Sequence, residues 1–445
     1  MLEKLTEAML RAARAAGATE IEAVAARQES TSIDVRAGRL EQADRAESLD
    51  LGLRVLIGGR QAIVTSSDPS DAAIEQMALR AVAMAREAPV DDTLGLADPD
   101  QLARDRDVSR LDLLDDAAPP APADLEAWAR QAEAAALSVQ GVSTVESAGA
   151  AYGRRETRFA ASNGFEGGSA RSQHSLSCIA ITGQGSGMER DYAGEGRAHL
   201  ADMPDPGEIG RLAGERAVER KGAVKPPTGS FPILYDERVS SGLIGHILGA
   251  INGVSIVRGS SWLRDALGEL VLPETLTLTE EPHLPRMGAS RLFDAEGLGT
   301  ARRDLIAGGV LTGWLLDLGT ARKLGLDSTA NAVRGLGSPP GPGASNIVLS
   351  PGVESRDDLI SAMGRGLVVT SMLGASINPT TGDYSRGASG FWVENGRISH
   401  PVNECTIAGN LRDMLRTLRP ANDARDWRSH RVPSLLVEGM TVAGA

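Results

Sequence analysis

The 445-residue chain has few aromatic side chains and few cysteines. Phe, Trp and Tyr together make up 3% of the residues, so aliphatic side chains and alanine must fill most of the core. Cys178 and Cys405 are the only cysteines and lie far apart in the sequence. This excludes a disulfide framework and fits a reducing compartment. We expect Cys178 to be a small buried hydrophobe.

Long apolar runs and an excess of basic charge are also missing. No run reaches the length of about 18 apolar residues that a membrane helix needs, and no basic start precedes an apolar signal-peptide core. We therefore expect a cytoplasmic protein without membrane contact. The 46 Lys and Arg residues are outnumbered by 59 Asp and Glu, for a net charge of −13. This balance argues against a nucleic-acid partner, which would require a basic surface.

What the chain has in quantity is glycine, at 51 of 445 residues, which is typical of a turn-rich protein. Its length suits two domains, and the Pro226-Pro227 pair marks the expected boundary. We predict an α+β fold. Residues 1–225 would form an N-terminal α/β domain with antiparallel strands and helices, and residues 226–445 a C-terminal β-rich domain of antiparallel sheets.

Periodicity places the elements of the first half. Helices are predicted at 2–16, ended by Gly17, at 69–87, capped by Asp68 or Ser70, from Asp124 to 137, and at 205–221; strands are predicted at 20–27, 31–37, 48–57, 61–66, 142–151, 156–163 and 172–184. Between them, 88–123 is rich in Asp, Pro and Ala and predicts an extended, mobile surface loop.

The second half is predicted to contain one apolar helix and many strands. The helix is expected at 240–253, and the strands at 231–235, 275–279, 310–316, 346–350, 367–373 and 390–400. A Gly/Pro-rich segment at 328–344 predicts an exposed loop, mobile near a binding cleft. Two acidic pairs, Glu280-Glu281 and Asp294/Glu296, are alternative candidates for an active site. We interpret Glu280-Glu281 as part of a solvated loop.

The most informative segment is 377–411. Within it, FWVE and RISH flank Asn395-Gly396, a dipeptide typical of the tight turn of a β-hairpin. Small residues precede the hairpin, and Ser389 lies in a Gly-Ala-Ser-Gly tract. That tract lacks the spacing and the strand-to-helix context of a serine-hydrolase nucleophile.

Taken together with 49–66, 240–254 and 432–444, this segment resembles the TldD/PmbA family, on its PmbA (TldE) branch. The resemblance covers essentially the whole chain. It implies a subunit that pairs with a zinc-bearing TldD-type subunit, in a metallopeptidase that degrades unfolded peptides and removes a leader peptide. The family is also described as a modulator of DNA gyrase; we expect any such effect to act through protein turnover.

In the TldD branch, a His-Glu-x-x-x-His box holds zinc, and its glutamate activates water. The matching residues here are Ser241, Gly242 and His246, so only the last ligand remains. Serine cannot replace imidazole, and glycine offers no general base. The six histidines form no HxxH, HxH or HExxH spacing. We therefore expect no catalytic residue, metal or cofactor in this chain, and zinc in the partner. His246 itself is interpreted as a core or interface histidine.

The resemblance also suggests a surface that helps to enclose peptide, through backbone pairing at exposed strand edges. The candidates for this peptide chamber are Asp383, Tyr384, Ser385, Gly387, Ser389 and Gly390. The alternative function is a homodimeric peptide-binding or regulatory protein without catalysis of its own. The residues leave open whether the isolated chain forms such a homodimer.

Overall fold

The computed structural model describes residues 1–444, apart from the side chain of Ser186. Its α-helices are α1 Leu2–Ala16, α2 Asp71–Glu87, α3 Pro122–Ser138, α4 Pro206–Glu219, α5 Glu237–Ala250, α6 Gly253–Val257, α7 Leu318–Leu324, α8 Arg356–Met363 and α9 Leu411–Arg416. Short 3-10 turns lie at Val108–Leu111, Gly185–Gly187 and Leu200–Asp202.

The strands of the first half are β1 Glu20–Arg36, β2 Arg39–Ile57, β3 Arg60–Ser66, β4 Val142–Ala161, β5 Glu166–Thr182 and β6 Glu189–Arg197. Those of the second half are β7 Gly229–Tyr235, β8 Leu278–Glu280, β9 Arg303–Ala307, β10 Val310–Leu311, β11 Ala332–Val333, β12 Gly341–Pro342, β13 Ile347–Leu349, β14 Gly366–Ile377, β15 Asp383–Glu394, β16 Arg397–Asn410, β17 Arg419–Pro420, β18 His430–Arg431 and β19 Leu435–Ala443.

The first half forms one antiparallel sheet in the order β3-β2-β1-β4-β5-β6. Helices α1 and α2 pack on it around a core that includes Met9, Leu53 and Met77. Helices α3 and α4 form a second core with β4 and β5, which includes Leu125 and Cys178. Cys178 is fully buried, as predicted. The apolar face of each helix thus covers the apolar face of the sheet.

The second half contains a barrel-like arrangement. Strands β16, β15, β14, β7 and β19 pair in that order, and β16 also pairs with β19, which closes the ring. All of these pairs are antiparallel except β7 with β14. The core of this half includes Tyr235, Ile244, Leu367 and Trp392. A smaller sheet, β10-β9-β8-β13-β18, adjoins it. The predicted α+β class is confirmed.

Several local predictions are confirmed. Helix α1 ends at Gly17, whose φ of 99° is the left-handed conformation that favours glycine. Ser70 caps α2, since its side chain accepts a hydrogen bond from the backbone N–H of Ala73. Asn395 and Gly396 both have positive φ, 51° and 70°, at the turn between β15 and β16.

Other predictions were wrong in extent or kind. Helix α3 begins at Pro122, and Asp124 lies inside its first turn rather than at the cap. The strand pairs predicted at 20–27 and 31–37, and at 142–151 and 156–163, are the single long strands β1 and β4. The polar residues between the predicted pieces are part of the ladder, because β1 and β4 pair with each other through them. Ladder hydrogen bonds therefore hold these residues extended whatever their β propensity.

The segment 88–123, predicted to be a surface loop, is packed. Leu96, Ala103, Leu111 and Leu113 on it are buried. It also joins the two halves, because the backbone N–H of Ala103 donates to the carbonyl of Gly297 at 2.8 Å. Its apolar residues follow no helical or strand period, which is why the sequence pattern did not reveal their burial.

The Gly/Pro-rich segment 328–344 was also predicted to be exposed, and part of it is buried. Ala332 is fully buried, and β11 pairs with β12 inside the segment. Arg334 forms an ion pair with Glu22 of β1 at 2.6 Å, and both side chains are buried. The first sheet and the second half of the chain are therefore joined at this segment. The predicted domain division between residues 225 and 226 stays a prediction, although the strands of the first sheet all precede it.

Candidate functional site

Helix α5 carries Ser241, Gly242 and His246 and follows directly after β7. Asp236 caps its N-terminus, with a carboxylate that accepts from the backbone N–H of Arg238 at 3.2 Å. Leu243, Ile244 and Ile247 anchor the helix in the core. Its glycine-rich side is the more open one, since a Cβ on Gly245 would meet no atom within 4 Å.

The three residues that the resemblance matched to the metal box lie in different surroundings. Ser241 lines a cavity of about 140 Å³ together with Tyr192 of the first half. A Cβ on Gly242 would lie 3.6 Å from Cε of Met372 on β14. His246 lies edge-on against the ring of Tyr384, with ring centroids 5.7 Å apart and an angle of 77° between the planes. The structure therefore brings His246 together with one predicted peptide-chamber residue.

The environment of His246 favours its neutral form. Burial lowers the pKa of His246, and the positive charge of Arg386 lowers it further. Burial also raises the pKa of Tyr384, whose hydroxyl lies 3.5 Å from Sδ of Met372. At neutral pH both rings are uncharged, so their contact is an aromatic packing contact.

The six peptide-chamber candidates on β15 do not share one surface. Tyr384 is buried beneath α5, whereas Asp383 is exposed and accepts from the hydroxyl of Thr381 and the amide of Asn410. These hydrogen bonds lower the pKa of Asp383. Ser385 and Gly387, further along the strand, are half-buried.

Ser389 and Gly390 have structural contacts. The hydroxyl of Ser389 accepts from Arg220, at the end of the first half, at 2.6 Å. Gly390 is required for close packing, because a Cβ there would lie 1.9 Å from the carbonyl oxygen of Val368. Side chains alternate along a strand, so residues 384 and 385 must face opposite sides of the sheet. The sequence could not show this division.

One edge of β14 lies open beside α5. Strand β14 pairs with β15 as far as Ile377, but its other neighbour, β7, pairs only with residues 367–369. Within residues 1–444, no strand pairs with that edge of 371–377. Leu373 there is 78% exposed, and the carbonyl of Gly374 accepts from the side chain of Arg386 at 2.8 Å. An open edge of this kind can pair with the backbone of an extended peptide.

Cys405 and the acidic residues take structural positions. The thiol of Cys405 donates to the carbonyl of Ala388 at 3.2 Å, and burial raises its pKa to about 11. Glu280, predicted to be solvated, is buried and forms an ion pair with Arg303 at 3.0 Å. Among the described residues, no group of three or more His, Cys, Asp or Glu side chains is placed to hold a metal ion. No described helix is both long and apolar enough to cross a membrane.

A buried ionic network between the two halves was missed from the sequence. Asp191 of β6 forms ion pairs with Arg220 at 3.4 Å and with Arg238 of α5 at 3.2 Å. Arg238 also contacts Asp236 at 3.2 Å. Asp191 is 29 and 47 positions from Arg220 and Arg238, and only the fold brings it to them. The network fixes the start of α5 against the first sheet.

The fold, with α5 packed beside β15, defines a class of two-part α+β proteins. Similarity to known families shows which class it is. Three family models match: PmbA/TldA metallopeptidase domain 1 at residues 21–85, the central domain at 115–221 and the C-terminal domain at 228–444. The chain belongs to the PmbA/TldD family of metallopeptidases.

Individual relatives agree with this membership. The chain is 38% identical over 417 residues to the metalloprotease PmbA of Escherichia coli O157:H7, covering 93% of this chain and 90% of that protein. A solved structure described as a putative modulator of DNA gyrase from Bacteroides thetaiotaomicron is 30% identical, with a TM-score of 0.90 over 100% of this chain and 99% of the other. TldE of Thermococcus kodakarensis shares the fold, with a TM-score of 0.84 at 19% identity over 99% of this chain and 100% of that one.

Proposed function

We propose that this chain is the subunit without a metal site in a cytoplasmic two-subunit metallopeptidase, and that a TldD-type partner supplies the zinc. The observation that carries the proposal is the set of side chains on α5. By the family resemblance, Ser241 and Gly242 match the positions of a zinc ligand and of the general base. The donors present do not fit zinc, so we derive no catalytic step on this chain.

The surroundings of these residues support the same proposal. His246 packs against Tyr384, and Ser241 lines a separate cavity. Cys405 donates its thiol proton to a carbonyl, and burial raises its pKa to about 11, which disfavours the thiolate that binds metal. A metal-free role is therefore consistent with the contacts of every candidate ligand in this region.

The substrate role that we propose is to hold an unfolded peptide in extended form. The open edge of 371–377 supports it, because backbone pairing does not depend on side-chain identity. The exposed side chain of Leu373 lies on this edge and can contact either a peptide or the partner subunit. The surface of α5 beside it is lined by glycine, so a peptide backbone or a neighbouring helix can approach closely.

The test is reconstitution with a purified TldD-type subunit and an unfolded peptide. We expect the two chains to co-elute and to degrade the peptide together, whereas this chain alone leaves it intact. Leu373→Arg should reduce degradation, since a charge is placed on the open edge. Leu326→Arg is the matched control, because Leu326 is also exposed, at 49%, but lies after α7, away from this edge.

Two outcomes would contradict the proposal. The first is failure of the two chains to associate at micromolar concentrations, with the isolated chain eluting as a stable homodimer; that result would favour the alternative homodimeric binding protein. The second is an equal effect of the two leucine substitutions on degradation. Fractionation of cells, with the chain followed by an antibody, tests the cytoplasmic location separately.

A further inference from the structure

One cavity lies between the first sheet and the second half of the chain, away from α5. It has a volume of about 380 Å³, within the range of small-molecule sites. Its floor is formed by β4 and β5. Its walls come from residues 108–113 and from two segments of the second half, 290–295 and 332–336.

Arginines surround this cavity. Arg155 of β4 and Arg171 of β5 are direct partners across the sheet, and both line it. Like charges in this arrangement repel each other. Arg291 lines the opposite wall. Burial lowers the pKa of Arg171, and the positive charges of Arg155 and Arg291 lower it further. Among the residues that the structure describes, none of these three arginines has a carboxylate within 4.0 Å.

The hydrogen bonds that these arginines make to backbone carbonyls do not use all of their N–H donors. Arg171 donates to the carbonyl of Gly288 at 2.6 Å, and Arg291 to that of Gly343 at 2.7 Å. The Nε–H of Arg291 is buried without a partner. So is the Nε–H of Arg334, a fourth arginine of the lining whose side chain is only 6% exposed. Unpaired buried donors are costly, so the lining retains hydrogen-bonding capacity that its own residues do not use.

Asp294 and Glu280 offset part of this charge, since both lie near enough to Arg291 to favour its charged form. Asp294 accepts from the backbone N–H groups of Glu296, Leu298 and Ala332 at 2.9 to 3.1 Å. Its burial raises its pKa to about 6. The Arg334 guanidinium has a partner in Glu22, so the remaining excess of positive charge comes mainly from Arg155 and Arg171.

The rest of the lining is apolar and held in place. Val24, Leu111, Phe159, Leu292 and Phe293 contribute to it. The wall at Leu336 is fixed against the first sheet, because a Cβ on Gly52 would lie only 2.5 Å from the Leu336 carbonyl oxygen. The cavity therefore combines a preformed apolar wall with convergent donors, as ligand sites do.

We propose that this cavity binds a small organic carboxylate with an apolar body, its carboxylate held by Arg155, Arg171 and Arg291. A planar guanidinium matches a carboxylate in shape and charge. Free organic acids and the C-terminal residue of a short peptide share this chemistry. The site is independent of the proposed peptidase role.

Calorimetric titration of the full chain tests the proposal. The probes are 3-phenylpropionate, the dipeptide Ala-Phe, its C-terminal amide and inorganic phosphate. We expect either 3-phenylpropionate or Ala-Phe to bind at millimolar concentration or better. Which of the two binds more tightly tells a free organic acid from the C-terminal residue of a peptide. We expect the amide and phosphate to bind at least about tenfold more weakly, since one lacks the charge and the other the apolar body.

The variants are Arg155→Gln and Arg171→Gln, with Arg154→Gln as the matched control. Arg154 is adjacent on β4, but strand alternation places its side chain on the other face, where it pairs with Glu156 at 2.6 Å. Each test variant should weaken binding about tenfold or more, and the control should not. Arg155 is exposed, so its variant reports even if Arg171→Gln unfolds.

The proposal is overturned if no carboxylate probe binds, if the amide or phosphate binds as tightly as 3-phenylpropionate and Ala-Phe, or if Arg154→Gln weakens binding as much as Arg155→Gln. Chemical-shift changes in the methyl groups of Leu111 and Leu292 on adding the probe provide a second readout. Shifts confined to residues outside the cavity would equally contradict it.

Discussion

Glu22→Gln should destabilise the protein strongly, because Glu22 is the only acid in a buried ionic triad of the described structure. Its carboxylate lies 2.8 Å from Arg54 and 2.6 Å from Arg334. The three side chains are 2%, 4% and 6% exposed, in the order Glu22, Arg54, Arg334. Removing the charge of one partner of a buried pair costs about 3–5 kcal/mol, since the remaining charge stays desolvated. Here two guanidinium groups lose their counterion.

The acid dependence has a definite sign. Burial alone would raise the pKa of Glu22, but Arg54 and Arg334 outweigh burial and lower it below the ordinary 4.5. The stabilisation from ionised Glu22 is therefore present above pH 4.5 and is lost as pH falls through the lower pKa of the folded state. The difference in unfolding free energy between the wild type and Glu22→Gln should shrink over that window.

Urea unfolding followed by circular dichroism measures both effects. The matched control is Glu47→Gln on β2. Its ion pair with Arg45 is exposed, since the side chains of Glu47 and Arg45 are 52% and 72% exposed. Exposed pairs contribute about 1 kcal/mol or less, so this variant should stay near the wild type. If the two variants lost the same stability, or if Glu22→Gln lost less than about 1 kcal/mol at neutral pH, the buried triad would not have the assigned role.

Two further predictions concern packing and a second buried acid. Gly390→Ala should destabilise the protein by about 1–3 kcal/mol in thermal or urea unfolding, because its Cβ would lie 1.9 Å from the Val368 carbonyl oxygen. The control is Gly245→Ala on α5, whose Cβ meets no atom within 4 Å and which should be neutral or slightly stabilising. Equal losses of stability in the two variants would refute this. Burial, with the charges of Asp294 and Asp317, raises the pKa of Glu296 well above its ordinary 4.5, so its contribution to stability is full below that value and is lost as pH rises through the folded pKa. Glu296→Gln should therefore raise the urea midpoint relative to the wild type at about pH 8 more than at about pH 4, and a pH-independent difference would contradict this assignment.

Local chemistry made much of the fold predictable. Gly17, Ser70 and Asn395-Gly396 each specify their own backbone conformation through side-chain size or a cap, so the sequence predicted them correctly. The full length of β1 was not predictable, because its polar middle stays extended through pairing with β2 and β4. The partners on β4 lie more than 100 positions away in the sequence.

The family resemblance, rather than the composition of α5, singled out Ser241, Gly242 and His246, and their role stays a prediction. Their arrangement was not predictable, and the structure adds the contact between His246 and Tyr384. The burial of Glu280 and the ion pair of Glu22 with Arg334 could not be predicted, since each partner lies in a segment that looks polar and solvated by itself. Charge compensation across long sequence distances leaves no periodic signal.

The most direct measurement of the central claim is the zinc content of the purified chain, by mass spectrometry of protein saturated with zinc and then freed of excess metal. We predict far less than one zinc per chain, and the same value for His246→Gln, because α5 supplies a single imidazole where a site needs several donors. One zinc per chain, lost on replacing His246, would contradict the account.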